Sequence, residues 1–175
     1  MKRISFIKNT AAISAAIILK PGIVFGSKAN SAIRVGIIGC GNRGTAVISS
    51  MSKHTNINII AMADLFDDKL KTIAPKLNEL NIAKGFPSIA AANIFQGSKA
   101  YLKLLALKDI DAVLISSPAY THPTFMEAAV AAGKHVYCEK PMVKEISQGL
   151  PVIETAKKTN RVIQIGSQGI SGLVH

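Results

Sequence analysis

A glycine-rich segment contains the first residues whose types and spacing suggest a chemistry. Residues 39–44 read Gly-Cys-Gly-Asn-Arg-Gly, which is the spacing G-x-G-x-x-G. The first glycine permits a tight turn, the second lets the backbone approach a diphosphate, and the third lets a following helix pack closely on a strand. The N-terminus of that helix offers unpaired N–H groups to phosphate. We therefore expect a dinucleotide to contact Gly39, Gly41, Asn42, Arg43 and Gly44.

An acidic residue follows this segment at the distance where dinucleotide-binding proteins recognise a ribose. Asp64 comes about 20 residues after Gly44, at the end of the next apolar segment. A carboxylate there accepts hydrogen bonds from the ribose hydroxyls and repels a 2′-phosphate, which favours NAD over NADP. Arg43 opposes this preference, because a guanidinium can pair with a 2′-phosphate. The alternative is a tight turn followed by an aspartate that only caps a helix.

Ser117, Pro118 and His122 follow the apolar run at 111–116, which is the fourth predicted strand. In a doubly wound sheet the ligand crevice lies beside the carboxyl ends of the first and fourth strands, where the strand order reverses. Ser117 and Pro118 would line the nicotinamide side of that crevice. His122 would either reach the ligand or hydrogen-bond locally. On the residues alone, the local hydrogen bond is the favoured interpretation.

The segment Glu139-Lys140-Pro141 follows the next apolar run. A lysine directly past a strand end is a candidate for orienting or polarising a substrate oxygen, and partial burial would make its pKa tunable. The alternative is a loop lysine held in a salt bridge. The bond between Lys140 and Pro141 is a candidate for the cis form.

The elements that must position these residues alternate between strand and helix. Short apolar runs predict strands at 33–38, 57–63, 93–96, 111–116, 134–138 and 161–165. Helical spacing and cap residues predict helices over 43–53, over 70–77 with a break at Pro75, over 101–105, from Thr121 to Gly133, and from Ser147 to about Asn160. Buried strands alternating with helices indicate a six-stranded, doubly wound parallel sheet of the Rossmann type over residues 31–175.

Composition narrows the class of protein. The chain has 175 residues, of which 49% are hydrophobic, so it can bury the core of one domain. Its net charge is +11, but residues 1–30 hold five basic residues and no acid, which leaves +6 on the remainder. Scattered lysines, few aromatic residues and no tryptophan favour a solvated surface over a nucleic-acid site. Two cysteines exclude a disulfide scaffold and a four-cysteine zinc site, and no metal site is expected.

The N-terminus resembles an export signal. Residues 1–9 are basic and residues 10–19 are apolar, followed by small residues near position 26. The apolar run is shorter than the roughly 20 residues that span a bilayer. The stretch from Arg3 to Lys8 resembles the twin-arginine motif, except that Ile4 stands where the second arginine is found. We expect export to the periplasm by that route or the general secretory one; a leader on a cytoplasmic protein is the alternative.

With these motifs in order, the sequence resembles the Gfo/Idh/MocA family of glucose–fructose oxidoreductases and inositol dehydrogenases. The matching segments are 35–44, 63–64, 111–141 and 164–168. The resemblance implies an NAD(P)-binding domain in which Lys140 is catalytic, near the nicotinamide and the substrate. It also implies that His122, Glu139 and Gln168 lie near the cofactor.

The resemblance further implies a second domain, an open antiparallel sheet that supplies most of the substrate pocket and usually a catalytic Asp and His. The sequence stops at His175, so we expect the NAD-binding domain of an exported sugar or polyol oxidoreductase, incomplete as an enzyme by itself. Sugar or polyol would bind only with the second domain, and self-association is expected. The alternatives are an NAD-dependent glycosidase of a related branch, which Lys140 disfavours, and a non-catalytic nucleotide-binding protein.

Overall fold

The computed structural model describes residues 31–167, within which six strands alternate with five α-helices. The leader, residues 1–30, and the candidate cofactor residue Gln168 lie outside the described residues. The strands are β1 Ile33–Ile38, β2 Ile57–Asp64, β3 Ile94–Gln96, β4 Ala112–Ile115, β5 His135–Glu139 and β6 Ile163–Gly166. The helices are α1 Asn42–His54, α2 Asp67–Ile82, α3 Ala100–Leu105, α4 His122–Ala131 and α5 Gly149–Thr159.

All six strands belong to one parallel sheet in the order β3-β2-β1-β4-β5-β6. The chain builds outward from β1 in one direction and then returns to build outward from β4 in the other. The strand order therefore reverses between β1 and β4, and a crevice opens where the loops after these two strands diverge. The predicted Rossmann-type α/β fold is confirmed.

Two hydrophobic clusters cover the two faces of the sheet. Successive side chains of a strand point to opposite faces, so Ile37 packs with α1 and α2 whereas Ile38 packs with α3, α4 and α5. Ile115 on β4 belongs to the same cluster as Ile38, and Leu114 belongs to that of Ile37. Burial on both faces explains why the strands are continuous apolar runs and why their positions were predictable.

The predicted break at Pro75 is wrong. Helix α2 runs from Asp67 to Ile82 without interruption, with Pro75 inside it. Proline removes one backbone hydrogen bond and crowds the preceding turn. Here Leu70 and Leu77, one on each side of the proline, are both buried against the sheet. Packing of this apolar face keeps the helix continuous despite the local cost.

Two helix starts also differ from the sequence-based expectation. Helix α5 begins at Gly149, after a 3-10 turn that includes Ser147. Glu145 and Gln148 form a reciprocal capping box on that turn, so they take the role that the sequence suggested for Ser147. Thr121 directly precedes α4 as predicted, but its hydroxyl bonds within the preceding turn and caps no helical N–H.

Candidate functional site

The glycine-rich loop joins β1 to α1 at the carboxyl edge of the sheet. Gly39 has a φ of 95°, and a Cβ on it would lie 2.6 Å from the backbone of Ser116 and Ser117. A Cβ on Gly44 would lie 2.2 Å from the carbonyl oxygen of Gly39. Both positions therefore exclude a side chain. A Cβ on Gly41, in contrast, would meet nothing within 4 Å, so the loop is open on that side.

The N-terminus of α1 lies directly behind this opening. The helix begins at Asn42, its N-cap residue is Gly41, and no side chain caps it. Its first turn contains no acidic residue. The N–H groups of a first helical turn have no partner within the helix, and they carry the positive end of the helix dipole. The loop therefore presents an uncompensated set of donors, which suits a phosphate group.

Asp64, the last residue of β2, lies beside the same loop. Its carboxylate accepts a hydrogen bond of 2.6 Å from the backbone N–H of Cys40 and one of 3.0 Å from that of Phe66. These bonds fix the carboxylate at the edge of the crevice. A carboxylate has about four acceptor positions, so Asp64 keeps capacity for two neighbouring hydroxyls, such as those of a ribose.

The side chain of Arg43 extends from the glycine loop to the end of β5. Its Nε lies 3.1 Å from Oε2 of Glu139, the last residue of β5, whose side chain is only 6% exposed. Strands β2 and β5 are three strand positions apart, or about 14 Å. The guanidinium is therefore directed away from Asp64. In this structure the Glu139 carboxylate holds the guanidinium at the end of β5, and the pairing of Arg43 with a 2′-phosphate stays a prediction.

His122 connects the loops that follow β4 and β5. The ring is 1% exposed; Nδ1 lies 2.7 Å from the carbonyl oxygen of Pro141, and Nε2 lies 2.9 Å from that of Ser117. Both ring nitrogens thus face backbone carbonyls, which supports the local hydrogen-bonding interpretation. His122 still borders the crevice, where it fixes the segments that carry Ser117 and Lys140.

Two adjacent serines at the end of β4 differ in their bonding. The hydroxyl of Ser117 lies 2.6 Å from that of Thr121, so it is used within the loop. The hydroxyl of Ser116 is buried and has no hydrogen-bond partner among the described residues. Sequence analysis did not single out Ser116. Its only sequence signal is its place at a strand end, because its proximity to Gly44 arises from the packing of α1 on β4.

The crevice encloses about 350 Å³. Of the residues predicted after β4 and β5, Ser117, His122, Glu139 and Lys140 line it, and Pro118 does not. Ser116 lines it as well. Lys140 is exposed at the edge of the crevice, so the partial burial considered for it is not found. The peptide bond between Lys140 and Pro141, a candidate for the cis form, is cis. The residues that line the crevice are Arg43, Ser116, Ser117, Ala119, His122, Glu139 and Lys140.

A larger groove of about 480 Å³ lies elsewhere, between α5 and β6. It is lined mainly by apolar side chains, including Met142, Val152 and Ile163, and it contains none of the predicted site residues. Size alone would favour this groove. The smaller crevice is the better candidate because polar side chains line it, including Arg43 of the glycine loop, and because Gly39 and Gly44 pack against Ser116, which also lines it. Asp64 lies beside the glycine loop and does not line the enclosed volume.

The two cysteines, Cys40 and Cys138, are buried and free. Burial raises the pKa of Cys40 to about 12, and the nearby Asp64 charge adds to the effect. Burial likewise raises the pKa of Cys138 to about 12, with a smaller contribution from Glu139. Both thiols are therefore protonated near neutral pH, and they serve as small packing residues.

Residues 31–167 contain neither a metal-binding cluster nor a membrane-spanning helix. No group of three or more histidine, cysteine, aspartate or glutamate side chains in that part of the chain is arranged to hold a metal ion. No helix there combines the length and the apolar character that a membrane crossing requires.

Comparison with known proteins assigns the family. The Gfo/Idh/MocA family, described as an oxidoreductase family with an NAD-binding Rossmann fold, matches residues 33–167. The chain belongs to this family. The residues that form the crevice therefore belong to the NAD-binding Rossmann domain of the Gfo/Idh/MocA family. The match includes the glycine loop, Asp64 and Lys140.

Curated relatives carry more than one name. The chain is 33% identical over 129 residues to a glycosyl hydrolase family 109 protein from Shewanella amazonensis, covering 74% of this chain and 27% of the relative. It is 30% identical over 136 residues to inositol 2-dehydrogenase 3 from Saccharopolyspora erythraea, covering 77% of this chain and 36% of the relative. The chain thus spans about a third of the length of these Gfo/Idh/MocA relatives, or less.

Solved structures agree on the fold. A putative myo-inositol dehydrogenase from Sinorhizobium meliloti matches with a TM-score of 0.62 at 25% identity, over 77% of this chain and 36% of that one. A 3-ketoreductase from Actinomadura kijaniata in complex with NADP and TDP-benzene matches with a TM-score of 0.62 at 26% identity, over 77% of this chain and 37% of that one.

Proposed function

We propose that the crevice binds NAD in preference to NADP, and that the chain is the nucleotide domain of an exported sugar or polyol oxidoreductase. One observation carries the proposal. The open face of Gly41 and the uncapped N-terminus of α1 lie beside a fixed Asp64 carboxylate. Donors for a diphosphate and acceptors for a ribose therefore lie side by side, and a 2′-phosphate would be repelled.

The described residues fit the cofactor on both sides of the crevice. The glycine loop and α1 would hold the diphosphate, and Asp64 would hold the adenosine ribose. Ser117, Glu139 and Lys140 border the opposite part, where the nicotinamide would lie. When bound, the nicotinamide supplies hydride transfer, and the protein supplies position and charge. Lys140, exposed at the edge, would donate a hydrogen bond to the reacting oxygen of a substrate.

The proposed substrate class rests on the names of two relatives, and the proposed location rests on the first 30 residues. Relatives named as inositol dehydrogenase and glycosyl hydrolase act, by those names, on polyols or sugars. Export rests on the order of basic, apolar and small residues in the first 30 positions. Fusion of residues 1–30 to a reporter that is active only outside the cytoplasm tests it. Absence of reporter activity would contradict the export proposal.

Calorimetric titration of the full chain and of Asp64→Ala with NAD and NADP tests the cofactor preference. The Asp64 carboxylate should bond the ribose of NAD, so we expect its removal to weaken NAD binding by about 10-fold or more and NADP binding far less. Asp67→Ala is the matched control, because Asp67 is exposed in the first turn of α2. Equal weakening of NAD and NADP binding by Asp64→Ala would contradict the proposed role.

An NAD-dependent glycosidase is the second candidate, and the match to a glycosyl hydrolase family 109 protein favours it. In that reaction the sugar is oxidised transiently and the nucleotide is restored. The full-length protein should be assayed with free sugars and with aryl glycosides. NADH that accumulates with a free sugar supports the oxidoreductase, whereas release of the aryl group with no net NADH supports the glycosidase.

A further inference from the structure

Ser116 is a half-buried residue whose hydroxyl oxygen is buried and lacks a hydrogen-bond partner among residues 31–167. Buried hydroxyls in folded proteins nearly always have a partner, because an unmade hydrogen bond is costly. An orphaned hydroxyl of this kind therefore calls for a specific explanation.

The position of Ser116 supplies one. It follows the last residue of β4 and lines the crevice together with Arg43 and Lys140. Its Cβ lies 3.2 Å from the place where a Cβ of Gly44 would stand, so it lies against the first turn of α1. The N–H groups of that turn are the phosphate donors of the proposed site. Rotation about the single side-chain torsion of a serine moves its hydroxyl between staggered positions.

We propose that Ser116 binds the diphosphate of the nucleotide directly, with its hydroxyl donating to a phosphate oxygen. The inference rests on the proposed dinucleotide function and adds a residue to that site. The bound phosphate supplies the acceptor that the protein lacks. Ser116 is thus a ligand-specific donor, and in the unliganded protein its hydroxyl stabilises nothing.

Ser49 provides the contrast that makes the inference testable. Its hydroxyl, inside α1, is also buried and has no hydrogen-bond partner among residues 31–167, but Ser49 does not line the crevice. Ser49→Ala therefore controls for the general effect of deleting an orphaned hydroxyl.

The experiment compares Ser116→Ala and Ser49→Ala in the full chain. Calorimetry with adenosine, AMP, ADP, ADP-ribose and NAD gives the affinities, and thermal unfolding without ligand gives the stabilities. For Ser116→Ala we expect affinities for ADP, ADP-ribose and NAD to fall by about 10- to 100-fold, the loss of one hydrogen bond to a charged group. Its affinity for adenosine, which carries no phosphate, and its melting temperature should not fall. Ser49→Ala should bind normally.

Three results would overturn the inference. Ser116→Ala that binds all four nucleotides like the wild type would show that the hydroxyl touches no ligand. Equal losses for adenosine and NAD would place any contact away from the phosphates. A lower melting temperature without ligand would show that the hydroxyl has a partner within the protein. If the wild type binds none of the nucleotides, the proposed function itself fails, which is distinguishable from failure at Ser116 alone.

Discussion

At the scale of single residues, Arg43 shows how a role depends on which strand end a side chain reaches. In the sequence, Arg43 belongs to the glycine-rich loop, and its guanidinium opposes the preference for NAD that Asp64 favours. In the structure its guanidinium pairs with the buried Glu139 carboxylate at the end of β5. The pairing directs Arg43 toward the end of β5, where the nicotinamide would lie in the proposed site, and away from Asp64.

A substitution at Arg43 therefore separates the two interpretations. We expect Arg43→Ala to weaken NAD and NADP binding by the same factor, about 10-fold or less, because the lost charge acts on parts that both nucleotides share. Calorimetric titration with both nucleotides measures the two factors, and Lys53→Ala, on an exposed part of α1, is the control. Selective loss of NADP affinity would support the 2′-phosphate interpretation.

The two thiols should be unreactive in the folded protein. Burial raises the pKa of both Cys40 and Cys138 to about 12, and the thiolate is the form that reacts. With a disulfide reagent at pH 8, the folded chain should therefore release almost no chromophore, whereas both thiols should react after unfolding in guanidinium. Rapid reaction of one thiol per folded chain would show that the loop around it opens.

How much of the site was predictable follows from these residues. The glycine loop, Asp64, Ser117 and Lys140 were found because each stands at the end of an apolar run. Ser116 was missed and the partner of Arg43 was not foreseen, because both depend on contacts between elements distant in sequence. Glu139 lies 96 residues after Arg43, and no local pattern encodes their pairing.

At the scale of elements, the loops after β4 and β5 are joined through the ring of His122, whose nitrogens face the carbonyl oxygens of Ser117 and Pro141. A neutral imidazole carries one N–H, so replacement of His122 by phenylalanine would remove the hydrogen bond that the ring donates to one of these part-buried carbonyls. An unsatisfied buried group costs about 1–3 kcal/mol. We therefore expect the free energy of unfolding to fall by about 1–3 kcal/mol in urea denaturation.

His54→Phe is the matched control for that prediction, since His54 is exposed at the end of α1 and its replacement should change the free energy of unfolding little. His122→Asn, which retains a donor, should lie between the wild type and His122→Phe. A His122→Phe variant as stable as the wild type would mean that the ring holds neither loop.

Element boundaries were predictable wherever burial decided them. The six strands lie within about two residues of the apolar runs, because strands covered on both faces are mostly apolar along their length. Helix α2 was misjudged at Pro75 because a local rule was applied where Leu70 and Leu77 hold the helix on the sheet. The start of α5 was misjudged because its cap involves Glu145 and Gln148, which precede the helical pattern.

At the scale of the whole molecule, the two edges of the sheet perform different tasks. The carboxyl edge carries the crevice, whereas charged groups at the amino edge join elements to one another. Arg34 bonds Asp111 through both the side chain and the backbone. Nearby, the buried Lys134 donates to the carbonyl oxygens of Leu107 and Ile110. These contacts connect β1, the loop before β4, and β5.

The amino edge should give the fold a defined acid dependence. The hydrogen bond and charge of Arg34 lower the pKa of Asp111 below its usual range. A carboxyl group whose pKa is lower in the folded state adds stability above its unfolded pKa and loses it as pH falls through the folded pKa. We therefore expect Asp111→Asn to be less stable at pH 7, with a shallower loss of stability between about pH 4 and pH 2.

Urea denaturation across that pH range measures this effect. Nucleotide affinity of Asp111→Asn should match the wild type, since the substitution lies at the opposite edge from the crevice. An unchanged acid dependence would show that the ion pair does not persist in solution.

The most direct test of the central claim is a titration of the isotopically labelled full chain with NAD, followed through its backbone amide NMR signals. Of the two cavities described above within residues 31–167, the larger one, between α5 and β6, lies away from the motifs. We predict shifts concentrated in residues 39–44, at Asp64, at Ser116 and Ser117, and at Glu139 and Lys140. Shifts confined to the groove beside Val152 and Ile163, or no shifts at saturating NAD, would contradict the assignment of the crevice as the nucleotide site.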